Sequence, residues 1–332
     1  MTNKNVFLIF GILSLVSILA YLFFWMLTTP YDLFPLDPVL RLRMQQAMIN
    51  IITRRTNHVL AMVVSATLIA STSLVFQTLT NNRILTPSLI GFDAIFITIQ
   101  TAIVFFLTSR SLFYVNPYLN FGLSAGLMIG ITMLMYKAIL RKNKNNMVFL
   151  LLIGMVLSTL SRSLASFLQN IMDPMEFQSV VIRTEVSVSN MNTSIIYLSI
   201  PLLIIIFGLI LRDVKTYDVM ALGEANAIGL GVEYTKKMNL ALIYIAVAMS
   251  ISTAMIGPLS FLGLIAVNAS REILKTYKHA QLLVLSSLIA MTFVISGQTV
   301  IIETGYRTTV SVWISLIGGA YMIYLLIKER PS

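Results

Sequence analysis

Gly257-Pro258-Leu259-Ser260-Phe261-Leu262-Gly263-Leu264-Ile265-Ala266-Val267-Asn268-Ala269-Ser270 decides the topology of this chain. Gly257-Pro258 breaks a helix arriving from the N-terminal side, because proline lacks an N–H and its ring clashes with the carbonyl four residues back. From Pro258 to Ser270 there are about 13 residues, or about 20 Å at 1.5 Å per residue, against about 30 Å of hydrocarbon in a bilayer. Whether this short apolar run crosses fixes the side of everything that follows it.

Nine further apolar runs surround it, at residues 6–27, 59–79, 88–108, 118–140, 147–171, 194–211, 238–257, 280–300 and 308–327. They are continuous rather than alternating, which argues for helices and against the strands of a barrel. The first run follows Lys4 but exceeds the about 7–15 residues of a signal core. No small-x-small cleavage site precedes Thr28-Thr29-Pro30, so it reads as a retained first helix. Charge then arbitrates the short run. With the N-terminus inside and ten crossings, fifteen of the 23 Lys and Arg fall inside and seven outside, Arg162 lying within the fifth span. Without the eighth crossing, Arg271, Lys275, Lys278, Lys328 and Arg330 exchange sides with Arg307, and the split becomes eleven to eleven. Basic residues concentrate in cytoplasmic loops. The chain therefore reads as an all-α membrane protein: one transmembrane domain over 1–332, ten helices, both termini cytoplasmic. Residues 28–58 and 172–193 form long outer stretches, whereas 141–146 and 212–237 lie inside.

Composition agrees. Of 332 residues, 57% are AVILMFWYC and 11% are charged, with a mean hydropathy of +0.87; a soluble domain carries about 25% charged residues. The net charge of +10 sits in loops rather than on a nucleic-acid face. No cysteine is present, which excludes disulfides, thiolate metal sites and Cys nucleophiles. There is no HExxH, GxSxG or Walker A motif, and neither His58 nor His279 has a second ligand at metal spacing. An intramembrane enzyme is disfavoured, and no metal or cofactor is expected on this chain. A metal that crosses does so inside a chelator, and nucleotide energy must come from a partner ATPase carrying ATP and Mg²⁺. Only Asp93 and Arg162 lie within predicted spans, a poor basis for a proton relay. That counts against an ion-coupled secondary carrier, which stays as the alternative class.

Three stretches resemble the iron-chelate and vitamin B12 family of bacterial ABC-importer permeases (FecCD-like). Arg55-Thr-Asn-His-Val-Leu-Ala61, with Gln77-Thr-Leu-Thr-Asn-Asn82 and Thr86-Pro-Ser-Leu-Ile-Gly91, is similar to the family's RLPR-x-L-A and Q-x-x-x-x-N-P-L-A-x-P-x-x-L-G. Ala221-Leu-Gly-Glu-Ala-Asn-Ala-Ile-Gly-Leu-Gly231 resembles LALGE-x-A-x-x-LG, and Gly257-Pro-Leu-Ser-Phe-Leu-Gly-Leu264 resembles GP-I-x-F-x-G-L. Asn57-His58, Asn82-Arg83 and Val267-Asn268 depart from the pattern. With Gly91-Phe-Asp93 and Asp173-Pro-Met-Glu-Phe177, they look more like the ferric-catecholate siderophore branch than the B12 branch. The resemblance implies a type II, B12-importer-like bundle in the bacterial cell membrane. It also implies a second permease subunit, a cytoplasmic ABC ATPase dimer, an extracytoplasmic substrate-binding protein and a ferric siderophore as cargo. Heme and cobalamin are the alternative cargoes within the family.

Residue roles follow from the same likeness. Ala221, Leu222, Gly223, Glu224, Ala225, Gly229 and Gly231 are the expected ATPase-coupling residues, on a short glycine-punctuated helix; a surface helix lying on headgroups would show the same pattern. Arg55, at the family's arginine position, and His58, where a second arginine stands, are expected to receive acidic residues of the binding protein, with Arg307 nearby; interfacial snorkelling is the alternative. Spans two and five carry polar stripes, Ser65 to Gln77 and Ser158 to Gln169. Such hydroxyls serve either close helix packing or a neutral lining for a chelate. Ser158, Ser161, Arg162, Gly257 and Pro258 are the pathway or gate candidates. Asp93 suits a cap at a helix start.

Overall fold

The computed structural model describes residues 3–28, 37–142, 147–185, 193–305 and 308–328. Its helices are α1 (Asn3–Phe23), α2 (Trp25–Thr28), α3 (Pro38–Leu79), α4 (Phe92–Leu107), α5 (Leu112–Val115), α6 (Pro117–Lys142), α7 (Met147–Asn170) and α8 (Pro174–Thr184). They continue with α9 (Thr193–Arg212), α10 (Val214–Met220), α11 (Glu224–Gly229), α12 (Tyr234–Ile256), α13 (Leu262–Leu274), α14 (His279–Thr304) and α15 (Val310–Lys328). All ten apolar runs are helical, and the protein is an all-α, multi-pass membrane bundle. Among the described residues seven helices, α1, α3, α6, α7, α9, α12 and α14, are long and apolar enough to cross a bilayer.

Two of the other expected spans, α4 and α13, are shorter, for local reasons. A 3₁₀ turn at Pro87–Ile90 and a left-handed Gly91 (φ +104°) consume the start of the third run, leaving 16 residues in α4. Gly257 (φ +87°) ends α12 by donating its N–H to the Thr253 carbonyl, and Pro258 delays α13 until Leu262, so the short run becomes a 13-residue helix. Helix α15, Val310–Lys328, is 19 residues long.

Two stretches expected outside are more helical than their polarity suggests. Asp37 accepts a hydrogen bond from the Val39 N–H at 2.9 Å, and Pro38 occupies the first turn, where its missing N–H costs nothing. Neither Gly nor Pro interrupts the chain from Val39 to Leu79. The second span therefore extends backward through residues 38–58 into one helix of 42 residues, about 63 Å long. Asp173-Pro174 repeats the device and starts α8. There Arg183 stacks over the Tyr114 ring at 5.3 Å and Glu176 accepts from the Ser109 N–H, tying α8 to the α4–α5 corner.

From Asn57 onward α3 is almost wholly buried, with α12, α13, α14 and α9 packed around it, while α1 leaves most of its surface exposed. The hydroxyls of Thr67, Ser71 and Thr72 donate to the carbonyls of Val63, Thr67 and Leu68, four residues back, at 2.7 Å. Those three hydroxyls thus bond within α3, whereas Gln77 at the end of the stripe lines a cavity. Close approaches rest on missing Cβ atoms. A Cβ on Gly154 of α7 would stand 2.9 Å from the Ile90 Cα, a backbone atom. Gly154→Ala is therefore expected to cost about 1–3 kcal/mol of stability through overpacking. Gly229→Ala, whose Cβ meets nothing within 4 Å, is expected to cost nothing. Equal melting temperatures of the two variants in detergent would contradict this packing.

Candidate coupling and translocation site

Helices α10 and α11 form a corner at one end of the bundle, with Tyr217 and Met220 of α10 buried against it. Gly223 begins α11 at φ +93°, and Gly231 leaves it at φ +85°, both left-handed conformations that suit glycine. Ala227 is buried beneath the corner and its carbonyl accepts from the Val232 N–H, while Asn226 ties α11 to the Leu222 carbonyl at 2.7 Å. Leu222, Ile228 and Leu230, each more than half exposed, then form an apolar ridge flanked by Glu224 and Ala225. An exposed apolar ridge of this kind suits contact with a protein or with a membrane surface.

Behind the corner lies a cavity of about 750 Å³, lined by Gln77, Arg83, Asp218, Leu222, Asn268, Arg271, Lys275 and His279, among others. Asp218 of α10 reaches across to the first turn of α14. Its Oδ1 accepts from the His279 N–H at 2.7 Å and faces His279 Nδ1 at 2.6 Å. On the other side of the ring, Nε2 lies 2.7 Å from the Thr78 hydroxyl of α3. A carboxylate only accepts, so Nδ1 carries the proton toward Asp218 and Nε2 is left to the Thr78 hydroxyl. Asp218 also puts negative charge at the positive end of α14. His279 is not half of a metal pair; among the described residues no cluster could hold a metal ion.

Further back along α3, near the middle of that helix, Arg55 Nη2 pairs with Glu303 of α14 at 3.0 Å, and Arg55 Nη1 donates to the Tyr21 carbonyl of α1. The guanidinium lies over the Tyr21 and Trp25 rings and its side chain is only 14% exposed. His58 is buried one turn further on, its Nδ1 3.0 Å from the Tyr21 hydroxyl. For Arg55 to receive an acid from outside it must exchange Glu303 for it. Arg307 lies outside the described residues.

The candidates on α7 separate. Ser158 sits against Gly91, and the Ser161 carbonyl accepts from the Thr98 hydroxyl at 2.8 Å, so both face α4. Arg162, one turn beyond Ser158 on α7, is exposed, and its charge still reaches the Asp93 carboxylate of α4. With Thr159, Ser163 and Ser166 it makes an exposed polar stripe along a face otherwise built from Val156, Leu160 and Phe167. Asp93 does not cap its own helix; it is buried and accepts from Ser260 in the linker between α12 and α13. Gly257 and Pro258 form the break between those helices. Asp218, Thr78 and Glu303 were missed by the sequence reading, since nothing local marks residues that meet across 61, 201 and 248 positions.

A ten-run bundle with this exposed corner defines a membrane permease. The chain belongs to the FecCD transport family, which matches residues 7–328. It is 41% identical over 280 residues to the petrobactin import system permease protein YclO of Bacillus subtilis (strain 168), covering 84% of this chain and 89% of that one. It is 30% identical over 283 residues to the petrobactin import system permease protein FatC of Bacillus anthracis, covering 85% and 80%. A solved structure described as an inward-facing conformation of a metal-chelate type ABC transporter superposes with a TM-score of 0.81 at 20% identity, over 99% of this chain and all of that one. As a FecCD permease the chain is a transport subunit, not an enzyme.

Proposed function

We propose that this chain is one of two permease subunits importing a ferric siderophore of the catecholate type, delivered by a binding protein and driven by a separate ATPase pair. The observation that carries the pathway is the α7 stripe. Arg162 lies near the middle of a 24-residue apolar helix, yet its side chain is exposed. An arginine at membrane depth does not face lipid; it faces protein or a water-filled cavity. The stripe therefore lines the seam with the second permease subunit, where a cation and three hydroxyls suit an anionic chelate. Petrobactin import by the similar proteins supports a siderophore cargo.

In this reading all ten runs cross, α4 and α13 being short spans, and both termini face the cytoplasm. The α10–α11 corner docks in the ATPase through Ala221, Leu222, Gly223, Glu224 and Ala225, with Gly229 and Gly231 shaping its exit. The binding protein docks at the Arg55 and His58 end, and Ser158, Ser161, Gly257 and Pro258 flank the gate. Arg162→Glu tests the pathway in vesicles carrying the whole importer. Uptake of a ferric catecholate chelate is expected to fall at least tenfold, with the ATPase still co-purifying. Unchanged uptake would overturn the placement of the seam.

A further inference from the structure

Two contacts staple α14 to α3, and they stand at opposite ends of the same helix pair. Near the coupling corner, Thr78 of α3 meets His279 of α14, and Asp218 of α10 holds the other side of that ring. At the far end Arg55 of α3 meets Glu303 of α14. Along α3 the staples are 23 residues apart and along α14 they are 24 apart, about 35 Å in each helix. That length is close to the hydrocarbon thickness of a bilayer. The pairings of 78 with 279 and of 55 with 303 make the two helices antiparallel, and they pack against each other.

Both staples sit where a hydrogen-bonded pair resists displacement. The His279 side chain is 4% exposed and that of Asp218 is 27% exposed; those of Arg55 and Glu303 are 14% and 11% exposed. The Arg55–Glu303 and Asp218–His279 bonds are charge-assisted, and such bonds are strong and directional, whereas Thr78 and His279 join through a hydroxyl and a ring nitrogen. A load on α10 therefore meets the Asp218 carboxylate, passes to the His279 ring and peptide N–H, and reaches both long helices at once. The continuous helix from Thr78 back to Arg55 holds neither Gly nor Pro at which to hinge. We propose that Asp218, His279, Thr78 and Glu303 are positioning residues that make α3 and α14 one transmembrane strut, joining the ATPase-facing corner to the binding-protein face.

This role rests on the importer reading above, but the strut itself is testable in the chain alone. Amide hydrogen exchange would be followed in the full-length purified protein and in Asp218→Asn and Thr78→Val, the latter deleting a single hydroxyl. The strut requires faster exchange not only near residues 218 and 279 but also at the last turn of α14 and around Arg55. A response confined to the coupling end overturns it, whatever the partners do. In the reconstituted importer, Asp218→Asn and Glu303→Gln should each reduce at least fivefold the stimulation of ATPase activity by loaded binding protein. Asp218→Glu should restore most of it, and the ATPase should still co-purify. Wild-type stimulation in both variants overturns the proposal. A far-end exchange response beside a wild-type complex that never hydrolyses ATP leaves the strut standing and removes the importer reading.

Discussion

Gly263→Val is expected to leave almost no folded protein in the membrane. Gly263 lies in the first turn of α13, and a Cβ built there stands 1.9 Å from Ser73 Oγ, 2.5 Å from Ser73 Cβ and 3.2 Å from the Ile69 carbonyl oxygen of α3. Ser73 can turn its hydroxyl aside, but its Cβ moves only with the α3 backbone, and α3 is the buried axis of the bundle. Overpacking of this kind costs about 1–3 kcal/mol when neighbours can shift and more when they cannot. A stability of about 5–15 kcal/mol leaves little margin for a branched side chain. Size-exclusion of the detergent-extracted protein would read the folded fraction. Ser73→Gly should partly rescue Gly263→Ala, despite costing α3 about 1 kcal/mol in helix propensity. Wild-type recovery of Gly263→Val would mean that α13 and α3 do not touch here.

Gly223→Pro should leave the bundle intact and cut import at least tenfold. Gly223 sits at φ +93°, whereas proline is fixed near −65°. The substitution also removes the N–H that bonds the Met220 carbonyl at 3.0 Å. The corner between α10 and α11 must then re-form, carrying Leu222, Ile228 and Leu230 out of register with any groove that receives them. Nothing lies within 4 Å of a Cβ at Gly223, so the damage stays at the corner. Glu224→Arg should act in the same direction by reversing the charge in the first turn of α11, where an acid suits the helix dipole. The measurement is ATPase stimulation in reconstituted vesicles, with melting temperature as the check on folding. Normal stimulation with a displaced corner would remove the segment from the coupling step.

The sequence made the bundle legible because each apolar run carries its own signal and each break has a chemical cause, as at Gly257-Pro258. The corner between α10 and α11 was legible for the same reason: its glycines, Gly223 and Gly231, are local. The backward extension of α3 was readable in principle from Asp37-Pro38 and the uninterrupted stretch after it, but polarity in residues 38–58 outweighed that cap. The staples were not readable. His58 and His279 stand out only by their rarity, and their partners lie far away in the chain, so nothing short of the packed helices brings Asp218 to His279 or Glu303 to Arg55. Arg55 shows the limit of matching positions alone. The motif marks it as an outer contact, and the fold gives it a partner of its own.

The absence of cysteine makes the decisive measurement clean. Leu222→Cys, placed on the exposed ridge, would be treated with a membrane-impermeant maleimide in oriented vesicles. Labelling should occur only when the cytoplasmic face is open to the reagent, and should be blocked once the ATPase is bound. Labelling from the exterior, or labelling that the bound ATPase leaves unchanged, would contradict a cytosolic corner through which a separate motor drives the permease.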